Sequence, residues 1–214
     1  MNTDRVSLYQ ACDTAIKAMN RDIVNSFGKL KMTKWDDVNI IRVVKNLYHT
    51  SARKARKRYY EVAFEAYILG MMLCGEETMK AHMAAEKAIT NEWIDTVLEV
   101  PDEVTKYAFR PEVDRKLYRL AEALEVTGDR EKEITRAERD WSRQLGQYAI
   151  IFTDEALLQA YRDAGVERVV WDTEDDEKTC RSCIAYHGKE YPVDEVPPKP
   201  HYGCRCRILP VIEK

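Results

Sequence analysis

Long uncharged apolar runs are missing from this chain, which excludes a single helix crossing a membrane. The start Met1-Asn2-Thr3-Asp4-Arg5 lacks the basic-then-apolar layout of a secretory leader, so the expectation is a soluble protein made in cytosol. His-Glu-x-x-His is absent, and so is His-x-Glu coupled to Pro-Cys-x-x-Cys. The zinc-protease and zinc-deaminase patterns are therefore not met. No catalytic His/Asn pair follows the cysteines, as an HNH-like nuclease needs, and no glycine-rich or stacking-aromatic nucleic-acid motif surrounds the basic residues. The reading is a protein that is not an enzyme.

What is present is a crowd of soft donors near the C-terminus. Four of the six cysteines, with one histidine, fall in Cys180-Arg181-Ser182-Cys183 and His201-Tyr202-Gly203-Cys204-Arg205-Cys206. In a reducing compartment clustered thiols hold metal rather than pair as disulfides. Cys-x-x-Cys turns two sulfurs toward one tetrahedral ion, and His201 and Cys204 repeat that spacing with Gly203 allowing a tight turn. Cys206 projects to the same side as Cys204 if that stretch is extended. Five donors then compete for four places: Cys180, Cys183 and His201, with Cys204 or Cys206 as the fourth. Glu190 and Asp194 are the nearest carboxylates and His187 stands in a turn. With no acid-base partner in a recognisable arrangement, the zinc is read as structural.

Charge is uneven. Residues 1–60 hold 13 Lys/Arg against 5 Asp/Glu, while the whole chain has a net charge of −3. Arg53, Lys54, Arg56, Lys57 and Arg58 supply much of the excess. They are read either as a solvated helix face or as a patch for phosphates or an acidic partner. A zinc-containing DNA-binding protein using this cluster is the alternative function.

Periodicity predicts a mainly α fold. Tyr9, Cys12, Ile16, Met19, Ile23 and Phe27 form one stripe of a helix from Val6 that Gly28 ends, placing Cys12 in the core. A second helix is expected from an aspartate cap at Asp36 or Asp37 to Cys74, with Gly75 as the stop. A third is expected over 76–99 with Met79, Met83, Ile89, Trp93 and Val97 inward and His82 at its boundary. A fourth carries Pro111 in its first turn and reaches Val126. Asp129 opens a fifth with Ile134, Ala137, Trp141, Leu145 and Tyr148 inward, and a separate helix follows from Asp154 to Ala164. The grammar then changes to a strand at Val166–Thr173, an acidic turn at 174–177 and a loop holding Pro192, Pro197, Pro198 and Pro200. The division is an elongated α-helical body over 1–165 and a small β-rich module over 166–214. The module is too small for its own hydrophobic core, a deficit that zinc offsets.

Val170-Trp171-Asp172-Thr173, Thr179-Cys180-x-x-Cys183, Gly188-Lys189-x-Tyr191 and Pro198-x-Pro200-His201-x-x-Cys204-Arg205-Cys206 together resemble the C-terminal signature of the phage minor head, or head morphogenesis, family that includes Mu F-like proteins. Ile134-Thr135-Arg136-Ala137-Glu138 resembles the family's Arg-Thr-Glu helix, with Ala137 in place of the threonine. The resemblance implies a low-copy virion component located in the head interior or portal region, and in host cytoplasm during assembly. Its partners would be the portal protein, other capsid components and packaged DNA, and its work head assembly, DNA packaging or DNA delivery. Arg205 and Arg207 are expected opposite the thiols, free for phosphate or an acidic partner.

Overall fold

A computed structural model describes residues 9–35, 39–102, 106–173, 179–204 and 206–212. The capping aspartates Asp36 and Asp37, the acidic turn at 174–177 and Arg205 lie outside them.

Helix α1 (Gln10–Lys31) buries Cys12, Met19, Ile23 and Phe27 on the expected stripe. It runs through Gly28 because one further turn places Leu30 on that stripe, where it is also buried. Helix α2 (Ile40–Leu73) is capped by Asn39, whose side chain accepts from the Arg42 amide at 2.9 Å. Gly75, at φ +94°, closes it just beyond Cys74, as a left-handed glycine can.

The expected single helix over 76–99 is two: α3 (Thr78–Ala88) and α4 (Asn91–Glu99). The break falls at Thr90, whose hydroxyl caps α4 by accepting from the Trp93 amide at 3.1 Å. The inward stripe is Ala81, Ala85, Ile89 and Ile94. Met79 and Met83 point outward, 72% and 54% exposed, because small alanines take the close-packed side.

Helix α5 (Phe109–Val126) has Pro111 in its first turn, where no amide partner is lost. Asp129 caps α6 (Arg130–Asp163) by accepting from the Lys132 amide at 3.1 Å. This 34-residue helix replaces the two expected over 129–148 and 154–164. Gly165, at φ +76°, ends it. Around Tyr148–Asp154 nearly every side chain is buried, so the stripe that marks a surface helix vanishes there.

Helix α6 packs chiefly on α2 and α1, with α5 alongside. Aromatic rings fill the seam: Tyr59 stacks on Phe152 at 4.9 Å, Phe109 meets Tyr148 edge-on at 4.8 Å, and Trp141 donates to Ser51 Oγ at 2.8 Å.

The chain then forms a three-stranded antiparallel sheet, with β1 (Arg168–Asp172) between β2 (Glu190–Pro192) and β3 (Arg207–Pro210). Trp171 lies opposite Ile208, and both are buried with Val169. A short helix α7 (Arg181–Tyr186) links β1 to β2. The sheet rests against the end of α6, where the Tyr161 hydroxyl donates to the Ile208 carbonyl at 3.0 Å. The protein is thus mainly helical with a small C-terminal sheet.

Candidate metal centre

The first cysteine pair is the opening of α7. Cys180 is its cap, and the thiol accepts from the Cys183 amide at 3.4 Å, so one helical turn aligns the two sulfurs. That amide bond is the main cause lowering the Cys180 thiol to about 7, with His201 assisting. Burial instead pushes the Cys183 and Cys204 thiols upward. Thiols raised by burial are disfavoured as bare anions, which a bound cation would reverse.

His201 comes from the loop before β3. Its Nε2 lies 3.1 Å from Cys180 Sγ and 3.3 Å from Cys183 Sγ. Nδ1 lies 3.0 Å from the Tyr202 carbonyl oxygen, which fits a proton on Nδ1 and leaves the Nε2 lone pair toward the sulfurs. Gly203, at φ +66°, makes the turn that returns Cys204, whose Sγ is 3.6 Å from Cys183 Sγ. Two overlapping trios result, Cys180–Cys183–His201 and Cys183–Cys204–Cys206, and Cys183 belongs to both.

The donor set suits a tetrahedral ion. Zn–S bonds of about 2.3 Å and Zn–N bonds of about 2.0–2.1 Å put donor atoms roughly 3.5–3.8 Å apart. Three of the six donor–donor distances that four ligands would set, from 3.1 to 3.6 Å, approach that spacing, while Cys204 groups with Cys183 and not with Cys180 and His201. All four cysteines are free thiols. Cys183, Cys204 and Cys206 are buried, whereas Cys180 and His201 are half-buried.

Residues 117–209 match the family model of phage Mu protein F like protein. Over these residues the chain is similar to that family. The matched segment runs from within α5 to β3 and so contains α6 and every donor. No curated protein and no solved structure matches the chain. In the family segment the Arg-Thr-Glu-like stretch Ile134–Glu138 lies on α6, where Glu138 accepts from Lys31 of α1 at 2.9 Å.

The groups joining this tail to α6 carried no signal of their own in the sequence. Tyr202 donates to Gln144 Oε1 at 2.8 Å, and the Gly203 amide donates to Gln147 Oε1 at 3.4 Å. Both glutamines are buried on α6. Lys199, between two prolines, is buried too. Its Nζ donates to the Cys206 carbonyl, lies 3.5 Å from Asp154 Oδ2, and sits over the Trp171 and Tyr9 rings at 5.1 and 5.6 Å. Tyr9 in turn donates to Asp154. The pair Lys199–Asp154 is not readable in the sequence, because 45 residues separate its members.

The remaining candidates are scattered. Arg207 faces Asp172 across the β1–β3 register and pairs with it at 3.2 Å, so it is not free as expected. Glu190 pairs with Arg168 at 3.0 Å and Asp194 with Arg162 at 2.7 Å. His187 uses Nδ1 to accept from the Thr173 amide at 3.1 Å. In the basic cluster Arg56 is held by Asp95 at 2.8 Å and by Asn91, and Arg58 lies 3.6 Å from Asp22. Arg53, Lys54 and Lys57 are exposed.

Proposed function

We propose that this chain is a head morphogenesis protein, a low-copy structural component that associates with the portal and acts in head assembly, DNA packaging or DNA delivery. The observation that carries the reading is the donor cluster seated against α6 inside the segment that matches the Mu protein F-like family. In this reading the helical body, residues 1–165, offers the surfaces that dock on portal or capsid. Residues 166–214 form a module whose zinc fixes it to that body.

Cys180, Cys183, His201 and Cys204 hold the zinc. Cys204 is taken over Cys206 as the fourth ligand because it repeats the two-residue spacing from His201 and its sulfur lies 3.6 Å from that of Cys183, although Cys206 also gathers at Cys183. Four protein donors, two of them the buried sulfurs of Cys183 and Cys204, argue for a closed structural ion over an open catalytic one. When bound, the ion would neutralise the thiolates and tie α7 to the loop before β3.

Two measurements test the proposal. Elemental analysis should find about one zinc per chain, lost in Cys183→Ser and kept in Cys206→Ser. Co-expression with portal and capsid proteins should place the chain in purified heads. Zinc-free protein of native stability would sink the metal reading, and absence from heads and virions would sink the assembly reading.

A further inference from the structure

Between α5 and α6 runs a groove of about 250 Å³ whose walls are unusually cationic. Arg136, Arg139 and Arg143 line one wall from α6, and Arg119 faces them from α5. All four are exposed. Among the described residues, Arg119, Arg136 and Arg139 have no ion-pair partner, while Arg143 lies 5.1 Å over the Tyr202 ring. Two carboxylates also line the groove, Glu133 and Asp140. Asp140 is taken by the buried Lys116 at 2.5 Å, and Lys116 is further held by Glu112 at 3.1 Å. Four guanidinium groups therefore stand against Glu133. Tyr48 lies at the floor and is otherwise buried.

The spacing selects a ligand. Positions 136, 139 and 143 step by three and four, so their side chains share one face of α6 over roughly 10 Å, at about 1.5 Å of rise per residue. One strand of a DNA duplex presents a phosphate every ~3.4 Å of axis, about three phosphates over that length. Arginine forks match phosphate oxygens in pairs, and the only lysine of the groove is buried and spent. The groove is too small to admit a base pair. It suits a backbone that is tracked without its sequence being read.

We propose that this groove binds the phosphodiester backbone of duplex DNA, with Arg119, Arg136, Arg139 and Arg143 as its contacts. The cluster at 53–58, which composition singles out, is a lesser contributor, since Arg56 and Arg58 are drawn to acidic neighbours. This inference uses neither the metal centre nor head assembly, so it can fail or hold apart from both.

The test is fluorescence anisotropy of a short labelled duplex over a range of salt, comparing wild type, Arg136→Glu/Arg139→Glu, and the charge-matched Arg53→Glu/Lys57→Glu. The groove variant should weaken binding at least about tenfold and flatten the log–log salt slope by about 1.8, two phosphate contacts at ~0.9 each. The cluster variant should change both far less. Equal losses in the two variants would show a diffuse net-charge effect and overturn the site, as would an unchanged slope. Poly-glutamate competing as well as unlabelled DNA of equal charge would overturn the phosphate assignment in favour of an acidic protein. Melting curves check folding, and if the reversals disturb it, Arg136→Gln/Arg139→Gln supplies the same comparison.

Discussion

Replacing Lys199 with methionine keeps much of the side chain's length and apolar stem but removes the only cation paired with Asp154 among the described residues. Both residues are 8% exposed, and Nζ is 3.5 Å from the carboxylate. Breaking one side of a buried pair costs about 3–5 kcal/mol, because the surviving charge is left without compensation. At ~2–4 °C per kcal/mol for a chain of this size, the melting temperature should fall by about 6–20 °C. Pairing Lys199→Met with Asp154→Leu should return most of that loss, since a buried ion pair exchanged for apolar groups is often neutral. About 0.5–2 kcal/mol should remain missing, from the contacts of Nζ with the Trp171 and Tyr9 rings.

The pH dependence gives a second signature. Burial raises the Asp154 carboxyl above its ordinary 3.8, and Lys199 pulls against that rise. A carboxyl raised on folding contributes stability that is present below 3.8 and lost as pH climbs through its folded value. Without Lys199 the folded value climbs further. The gap between Lys199→Met and wild type should then be widest at neutral pH and narrow as pH falls toward 3.8. Urea titrations at several pH values, with zinc held constant, measure it. A single-variant loss below about 1 kcal/mol, or a double variant as damaged as the sum of the singles, refutes the clamp.

Gly70→Ala should destabilise by about 1–2 kcal/mol in chemical denaturation: overpacking of about 1–3 kcal/mol exceeds a helix-propensity gain of about 0.5–1. The new Cβ would stand 2.8 Å from Ala160 Cβ and 3.4 Å from Leu157 Cδ2, and a gain in stability would contradict the close α2–α6 approach. Glu112→Gln should cost about 3 kcal/mol, because the fully buried carboxylate accepts twice from Arg115 at 2.7 Å and forms an ion pair with Lys116 at 3.1 Å. A melting temperature within a degree of wild type would refute it. Removing zinc with a chelator should lower the melting temperature of wild type and leave Cys183→Ser unmoved, as calorimetry would show.

Local chemistry made several boundaries legible. Gly75 and Gly165 stop helices at positive φ, Asp129 caps, and Pro111 opens a first turn. The stripe of α1 was readable because one face of that helix meets the core and the other meets water. Where α6 is enclosed on all sides the same reasoning lost the helix. Methionines misled at α3 because size is a poor guide where backbones approach closely and alanine is what fits. The donors of the candidate metal centre were legible from spacing alone, since cysteine spacing is a local property. What holds that centre in place was not, because Lys199–Asp154, Tyr202–Gln144 and Gly203–Gln147 join residues far apart in the chain.

Those same pairings change what the metal would be for. Gln144, Gln147, Asp154 and Tyr161 lie along the buried length of α6, and each reaches the segment between Lys199 and Ile208. The proposed donors His201 and Cys204 fall inside that segment. An ion joining them to α7 would therefore brace the loop that already grips α6, and would not merely close a separate knuckle. Its loss should loosen the grip on α6 before it disturbs the β1–β3 pairing, whose backbone bonds stand independently of the thiols. Amide exchange after chelation distinguishes the two orders, with Gly203 and Cys206 expected to lose protection ahead of Trp171.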